Sequence, residues 1–376
     1  MSIYLDNAAT TKPYPQAIQK AAEVMTENWG NPSAIYSFGA CGKATLEAAR
    51  EQIASALGAL PGEIYFTSGG TESNNLAILG AASAHAERGR HIVTTAVEHS
   101  AVTKTVRNLR REHDYAVDYV PMVVGNLDLE AFERSITSET VLVSVMLVQN
   151  EVGTVFPLRE ISRIVKRRNP NTLLHCDAVQ GLGKLMFTAR EFGVDLLSVS
   201  AHKVHGISGC GALFIRDGVR IFARQFGGGQ ERGLRSGTES VALAAAFGEA
   251  ASITFKNLAR DTSHMTTLRD YAISELSKHF PDAIFNTGKS CAPHIVSFTL
   301  PGVDAVSTVH NMSARGIFIS NGAACKSNER SDSKRKQALE YYGLTDAQVR
   351  STLRISFCDS NNIDEIDTLI AALRSQ

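Results

Sequence analysis

The chain has 376 residues, 44% hydrophobic and 20% charged, with Lys plus Arg and Asp plus Glu balanced at 38 each. This is globular composition, long enough for about two domains and a full core, and it excludes an intrinsically disordered chain. A zero formal charge argues against direct nucleic-acid binding, and the longest apolar stretch, Val141–Val148 broken by Ser144, is far too short to span a membrane.

Taken from the N-terminus, Met1–Asp6 shows neither the basic start nor the apolar core of an export signal, and a cytoplasmic protein is the expectation. Short apolar runs predict strands at Glu63–Thr67, His91–Thr95, Ala116–Val120, Val141–Leu147, Thr172–Cys176, Leu196–Ser200 and Gly211–Ile215. Between the earlier ones, helical periodicity marks Glu72–Glu87, Val102–Arg111, Leu129–Ile136 and Leu158–Lys166. This alternation predicts an α/β large domain with a mostly parallel sheet flanked by helices, because parallel neighbours need a crossover. Beyond residue 258 the pattern changes. Two helices, Val241–Leu258 and Met265–His279, lead into strands at Ile295–Thr299, Gly316–Ile319 and Leu353–Phe357, which read as a smaller α+β domain. The expected division is residues 14–258 for the large domain, with 1–13 and 259–376 forming the small one. Asn328–Lys336, polar and without apolar anchors, reads as a mobile loop.

In an open parallel sheet, ligands lie beyond the carboxyl ends of the strands. Strand Glu63–Thr67 runs into Ser68-Gly69-Gly70-Thr71-Glu72. Glycines there let the backbone close on a ligand, and a helix start offers N–H groups, which together make a cradle for one phosphate. A plain N-cap turn explains the same residues about as well. G-x-G-x-x-G, Walker A and G-x-S-x-G patterns do not occur, which removes the common nucleotide folds and the hydrolase elbow. Two further strands end in Asp177 and in Ser200-Ala201-His202-Lys203. Pyridoxal phosphate needs a lysine for covalent attachment, an acid against its ring nitrogen and an anion cradle, and all three are present. Singly, Asp177 reads as a helix cap and Lys203 as a solvated charge; the joint pattern favours the cofactor.

The stretches Tyr4–Thr11, Phe66–Asn75, Glu98-His99, Asn150–Gly153, Asp177–Gln180, Ser200–Lys203, Gly227–Thr238 and the segment around Cys325 together resemble a cysteine desulfurase. That family comprises pyridoxal phosphate enzymes of fold type I, near the class V aminotransferases. The resemblance implies that Lys203 carries the cofactor and moves the Cα proton, that Asp177 pairs with the ring nitrogen, and that His99 stacks on the ring and serves as an acid or base. It places Gly70, Thr71, Ser200 and His202 around the phosphate, joined by Thr238 from the second subunit of a homodimer, and Gln180 on the phenolic oxygen. Asn150, beside the cofactor, and Arg354 would fix the substrate carboxylate, and Asn7 and Ala8 would line the substrate end.

Cys325 sits in Ser320-Asn321-Gly322-Ala323-Ala324-Cys325-Lys326-Ser327, at the head of the charged loop, where nearby cations favour thiolate. It is the expected sulfur nucleophile, whereas Cys176 and Cys210, in or beside apolar runs, read as buried hydrophobes. The six cysteines form no CxxC pair, and the spacings among His175, Cys176, His202, His205 and Cys210 fit no zinc pattern, so no metal site is expected. Lys334-Arg335-Lys336 reads as a solvated run. The resemblance implies conversion of L-cysteine to L-alanine, with sulfur carried as a persulfide on Cys325 to an acceptor, an iron–sulfur scaffold or a tRNA-thiolation protein. Departures gather near the nucleophile: Ala323 stands where many relatives have Ser, Gln230 where many have His, and Cys358 where Gly is frequent. A selenocysteine lyase, or another lyase or transaminase of the fold that does not use Cys325, is the alternative; an interaction protein without activity would lack the chromophore.

Overall fold

A computed structural model describes residues 2–123, 125–287, 290–321 and 338–375. Its main sheet has seven strands in the order Ile64–Thr67, Gly211–Ile215, Leu196–Ser200, Leu173–Asp177, Thr140–Met146, His91–Thr95, Ala116–Val120. The pairings from Leu196–Ser200 outward to Ala116–Val120 are all parallel. The α/β sheet expected from the sequence is therefore present, strand by strand. Gly211–Ile215 is the exception, antiparallel to both neighbours. It follows Leu196–Ser200 through only the short 3-10 turn Ala201–Lys203 and a loop, and without a crossover helix the chain can return only antiparallel.

The strands are covered on both faces, and their alternation sorts the core into two halves. Ile92, Leu142, Leu173, Leu196 and Leu213 pack under the helices Gly70–His85 and Ser100–Glu112. Their neighbours Val93, Val143, Leu174, Leu197 and Phe214 face the other way, onto helices Ser37–Leu57 and Leu158–Arg168. Ser37–Leu57 and Pro15–Glu27 are not among the helices that the sequence pattern marks. Pro15–Glu27 docks through small residues, with Ala17 and Ala21 against Ala246 and Ala250.

A second apolar cluster surrounds an antiparallel sheet of Ile284–Phe285, Ile295–Thr299 and Thr352–Ser356, backed by helices Ala305–Ala314 and Ile363–Arg374. The N-terminal strand Ile3–Tyr4 pairs in parallel with Ile317–Phe318, and Leu5 enters this cluster. The two helices expected at Val241–Leu258 and Met265–His279 are one helix of 39 residues, Val241–His279. Its polar middle is polar because of its neighbours: Asp261 is buried, Thr262 Oγ1 donates to the Lys184 carbonyl at 3.2 Å, and His264 Nε2 meets the Asn361 carbonyl at 2.8 Å. Among the described residues, no helix is long and apolar enough to cross a membrane.

Candidate active site

The carboxyl ends of five strands converge on a cavity of about 330 Å³. At its first corner, Ile64–Thr67 turns through Gly69 (φ +151°) into helix Gly70–His85, and Thr67 Oγ1 ties to Ser73 Oγ at 2.7 Å. A Cβ on Gly70 would stand 2.7 Å from Val179 Cγ2, so glycine lets the helix start lie this close to the turn after Asp177 without displacing the Val179 side chain. Thr71, Ser200 and His202 gather at this helix start, where unshared amides favour an anion. Glu72 does not spoil the charge: its carboxylate takes the Ser68 amide at 2.8 Å and Arg235 at 2.7 and 3.2 Å. Burial of His202, with Lys203 beside it, pushes its ring down to about 4, so it meets an anion as neutral imidazole.

Asp177 is the last residue of strand Leu173–Asp177 and is buried. Its Oδ1 accepts from the Val179 amide at 3.0 Å, and its Oδ2 accepts from Asn74 Nδ2 at 2.7 Å. Asn74 thus aims the carboxylate, a role no sequence rule assigns. Lys203 ends the 3-10 turn opposite, with Nζ donating to the carbonyls of Ala8 and Ala9, the latter at 2.7 Å. Those carbonyls come from the N-terminal arm, which is pinned by Ala8 N to Ser356 Oγ at 2.8 Å and Thr11 N to the His202 carbonyl at 2.9 Å.

His99 caps helix Ser100–Glu112, its Nδ1 accepting from the Ala101 amide at 3.1 Å. A neutral ring bonded this way carries its proton on Nε2. Burial holds it below the usual imidazole range, Asp177 opposing and Lys203 and Lys104 reinforcing. Next to it, Glu98 is buried; its Oε1 accepts from Thr95 Oγ1 at 2.7 Å and the Met146 amide at 2.9 Å, while Oε2 has no partner among the described residues. Burial, with Asp177 adding to it, pushes Glu98 from 4.5 up to about 8. The folded protein therefore keeps a proton that the unfolded chain has released, and Glu98 costs stability increasingly as pH rises from 4.5 to about 8. Glu98→Gln, which keeps the acceptor and cannot ionise, is expected to gain on the parent by a few kcal/mol across that window. Thermal melts at pH 5 and pH 8 check this, and an unchanging difference would mean that Glu98 is already ionised at pH 5.

The far wall holds Gln180, Asn150 and Arg354. Gln180 Nε2 donates to the Ala8 carbonyl at 2.8 Å, and its Oε1 faces His294 Nε2 at 3.3 Å. Arg354 lies on strand Thr352–Ser356, its Nη1 on the Asn150 carbonyl at 2.7 Å and its Nη2 on Asp6 Oδ1 at 2.6 Å. The buried Nε has no partner among the described residues. Guanidinium protons therefore remain for an incoming carboxylate.

The cavity unites eleven predicted residues: Ala8, Gly70, Thr71, His99, Asn150, Asp177, Gln180, Ser200, His202, Lys203 and Arg354. Asn7 is buried behind it, its amide bonded to the Ser356 carbonyl at 3.0 Å and Asn361 Oδ1 at 3.1 Å, where it shapes the arm. Thr238 is exposed and does not line this chain's own cavity. Cys325 and Lys334–Lys336 lie outside the described residues. Cys176 and Cys210 are buried as expected, and burial raises both thiols, Cys210 to about 12. Asn74, His294 and Asp6 are the site residues that sequence reasoning assigns no role; each acts by orienting a predicted neighbour. A wider groove of about 1090 Å³ beside helix Leu158–Arg168 has an apolar floor and surface Glu and Arg side chains, without a nucleophile, so size alone does not mark the site.

Across residues 3–369 the chain matches the family described as Aminotransferase class-V. A Clostridium botulinum (strain Hall) protein named Cysteine desulfurase IscS is 36% identical over 375 residues, covering 99% of this chain and 93% of that protein. A solved NifS-like protein has a TM-score of 0.93 at 35% identity, covering 100% of this chain and 99% of that one. SspA in complex with cysteine has a TM-score of 0.80 at 30% identity, over 95% of this chain and 99% of that one.

Proposed function

The chain belongs to the class-V aminotransferase family, among its pyridoxal phosphate-dependent cysteine desulfurases, and from that membership we propose that its cavity takes L-cysteine, that Cys325 receives the sulfur as a persulfide, and that the carbon skeleton leaves as L-alanine. The observation that carries this reading is the convergence of Lys203, Asp177, His99 and Arg354 on one cavity.

The residues present fit the cofactor. Gly70, where a Cβ would crowd Val179, with Thr71, Ser200 and His202, suits a phosphate; Asp177, aimed by Asn74, suits a protonated ring nitrogen; Gln180 suits the phenolic oxygen; Lys203 suits the attachment point. When bound, pyridoxal phosphate supplies a sink for the electron pair freed at the substrate's α-carbon. Asp177 would hold a proton on the ring nitrogen, and His99 would lie against the ring. Arg354 and Asn150 hold the substrate carboxylate, which fixes which bond to the α-carbon faces the Lys203 amine. Lys203 removes the α-proton and later returns a proton to the product. The Cys325 thiolate attacks the substrate sulfur: an S–S bond forms, the C–S bond breaks, and its electron pair stays with the departing carbon skeleton until it is protonated.

Purified protein given L-cysteine and a reductant is expected to be yellow and to release alanine and sulfide in equal amounts. A colourless protein yielding no alanine would overturn the reading. Arg354→Lys keeps a cation for Asp6 but loses the fork that matches a carboxylate. It is expected to raise KM for L-cysteine about 10- to 100-fold with a smaller change in kcat. Steady-state kinetics check this; an unchanged KM would remove Arg354 from the substrate.

The working unit is a homodimer in which Thr238 of a second copy completes the phosphate site. Its support is that Thr238 is exposed while its loop is anchored firmly, by Arg50 to Glu231 at 2.8 and 2.9 Å and by Arg235 to Glu72. The sulfur passes on to an acceptor protein, an iron–sulfur scaffold or a tRNA-thiolation protein, in the cytoplasm.

A further inference from the structure

His205, Cys358 and Asp359 are far apart in sequence, yet one ligand-type atom from each lies within 4.8 Å of the others. They meet where the loop after Lys203, the end of strand Thr352–Ser356 and the N-terminal arm come together. His205 Nδ1 faces the Lys12 carbonyl at 2.9 Å. A carbonyl only accepts, so Nδ1 carries the proton and Nε2 bears a lone pair in the neutral ring. Nε2 faces Asp359 Oδ1 from 3.5 Å, a long contact with room to shorten on a shared partner, while Asp359 Oδ2 is taken by the Tyr14 hydroxyl at 3.0 Å. A cation fits between the two, and the Cys358 sulfur stands beside them as a third donor.

The outer contacts are those of ligands held ready. The Tyr14 ring stacks on the imidazole at 4.2 Å and 15°, its hydroxyl orients the carboxylate, and the Cys358 amide is fixed on Asn361 Oδ1 at 2.8 Å. His205 and Cys358 are buried, and Asp359 is part-exposed, which leaves a route in from solvent. Thiolate and carboxylate together balance a divalent ion. A mixed nitrogen, sulfur and oxygen set suits zinc and excludes magnesium and calcium, which take oxygen. We infer that His205, Cys358 and Asp359 form a binding site for a zinc-class divalent cation, with water as fourth ligand, fastening the lysine loop to the end of strand Thr352–Ser356. Spacing along the chain hides it, because only the fold brings position 205 to position 358.

The test uses holoenzyme carrying Cys325→Ser, so that the sulfur nucleophile contributes nothing. After chelator treatment it is titrated with Cd²⁺, whose bond to a thiolate gives an ultraviolet charge-transfer band, and then with Zn²⁺ under thermal melting. One equivalent per chain, a band that disappears on adding Cys358→Ser, and a Zn²⁺-dependent rise in Tm of a few degrees are expected. His205→Asn, chosen because Asn tolerates the φ of +62° at this position, and Asp359→Asn should each weaken binding at least about tenfold. An unchanged band in the Cys358→Ser protein, or no uptake of micromolar Zn²⁺, would overturn the site.

Discussion

Lys203→Ala is expected to give a folded, colourless protein whose alanine output from L-cysteine has fallen at least about 10⁴-fold. Two functions are lost in one substitution: the covalent hold on the cofactor and the amine that moves the α-proton. The loss should not be confused with unfolding. The Lys203 amine bonds the Ala8 and Ala9 carbonyls, and both lie at the cavity edge, where water replaces it at a cost of about 1–3 kcal/mol. Chromatographic alanine assay, visible absorbance and borohydride reduction followed by mass measurement check the three consequences separately. A yellow variant that retains more than a hundredth of parental turnover would remove Lys203 from its place.

Cys325→Ser should act on the other half of the reaction. Sulfide release is expected to fall below detection and alanine by about a thousandfold, while colour, melting temperature and cysteine-induced spectral change stay as in the parent, because Lys203, Asp177, His99 and Arg354 are untouched. The hydroxyl is a far poorer nucleophile toward sulfur than the thiolate. Undiminished sulfide would transfer the chemistry to a lyase that needs no protein thiol, and selenocysteine assayed beside cysteine in the same variant identifies that enzyme.

The large sheet and most of the cavity were legible because both depend on local pattern. Runs such as Leu196–Ser200 announce buried strands, and residues just past such runs, Asp177, Ser200 and Lys203, must then lie along one edge of the sheet. What stayed hidden are contacts between segments with no fixed spacing. Asn74 reaches Asp177 only because Gly70 lets a helix approach a distant turn, and Asp6 reaches Arg354 only because the N-terminal arm runs along the second sheet. The polar stretch after Leu258 reads as a break between helices because its neighbours, Lys184 and Asn361, are invisible to periodicity. The direction of Gly211–Ile215 depended on a missing crossover rather than on any residue within the strand.

The uninterrupted helix Val241–His279 has a practical consequence. At 39 residues it is a rod about 58 Å long, with Ala244, Phe247 and Ala251 seated in one apolar cluster and Met265, Leu268 and Leu276 in the other. A fragment ending at 258 would stop in mid-helix with its last carbonyls uncapped, and one starting at 259 would begin with bare amides and a half-turn of stripped side chains. Within Val241–His279 the chain therefore offers no seam at which a protease or a cloning scheme could part it cleanly.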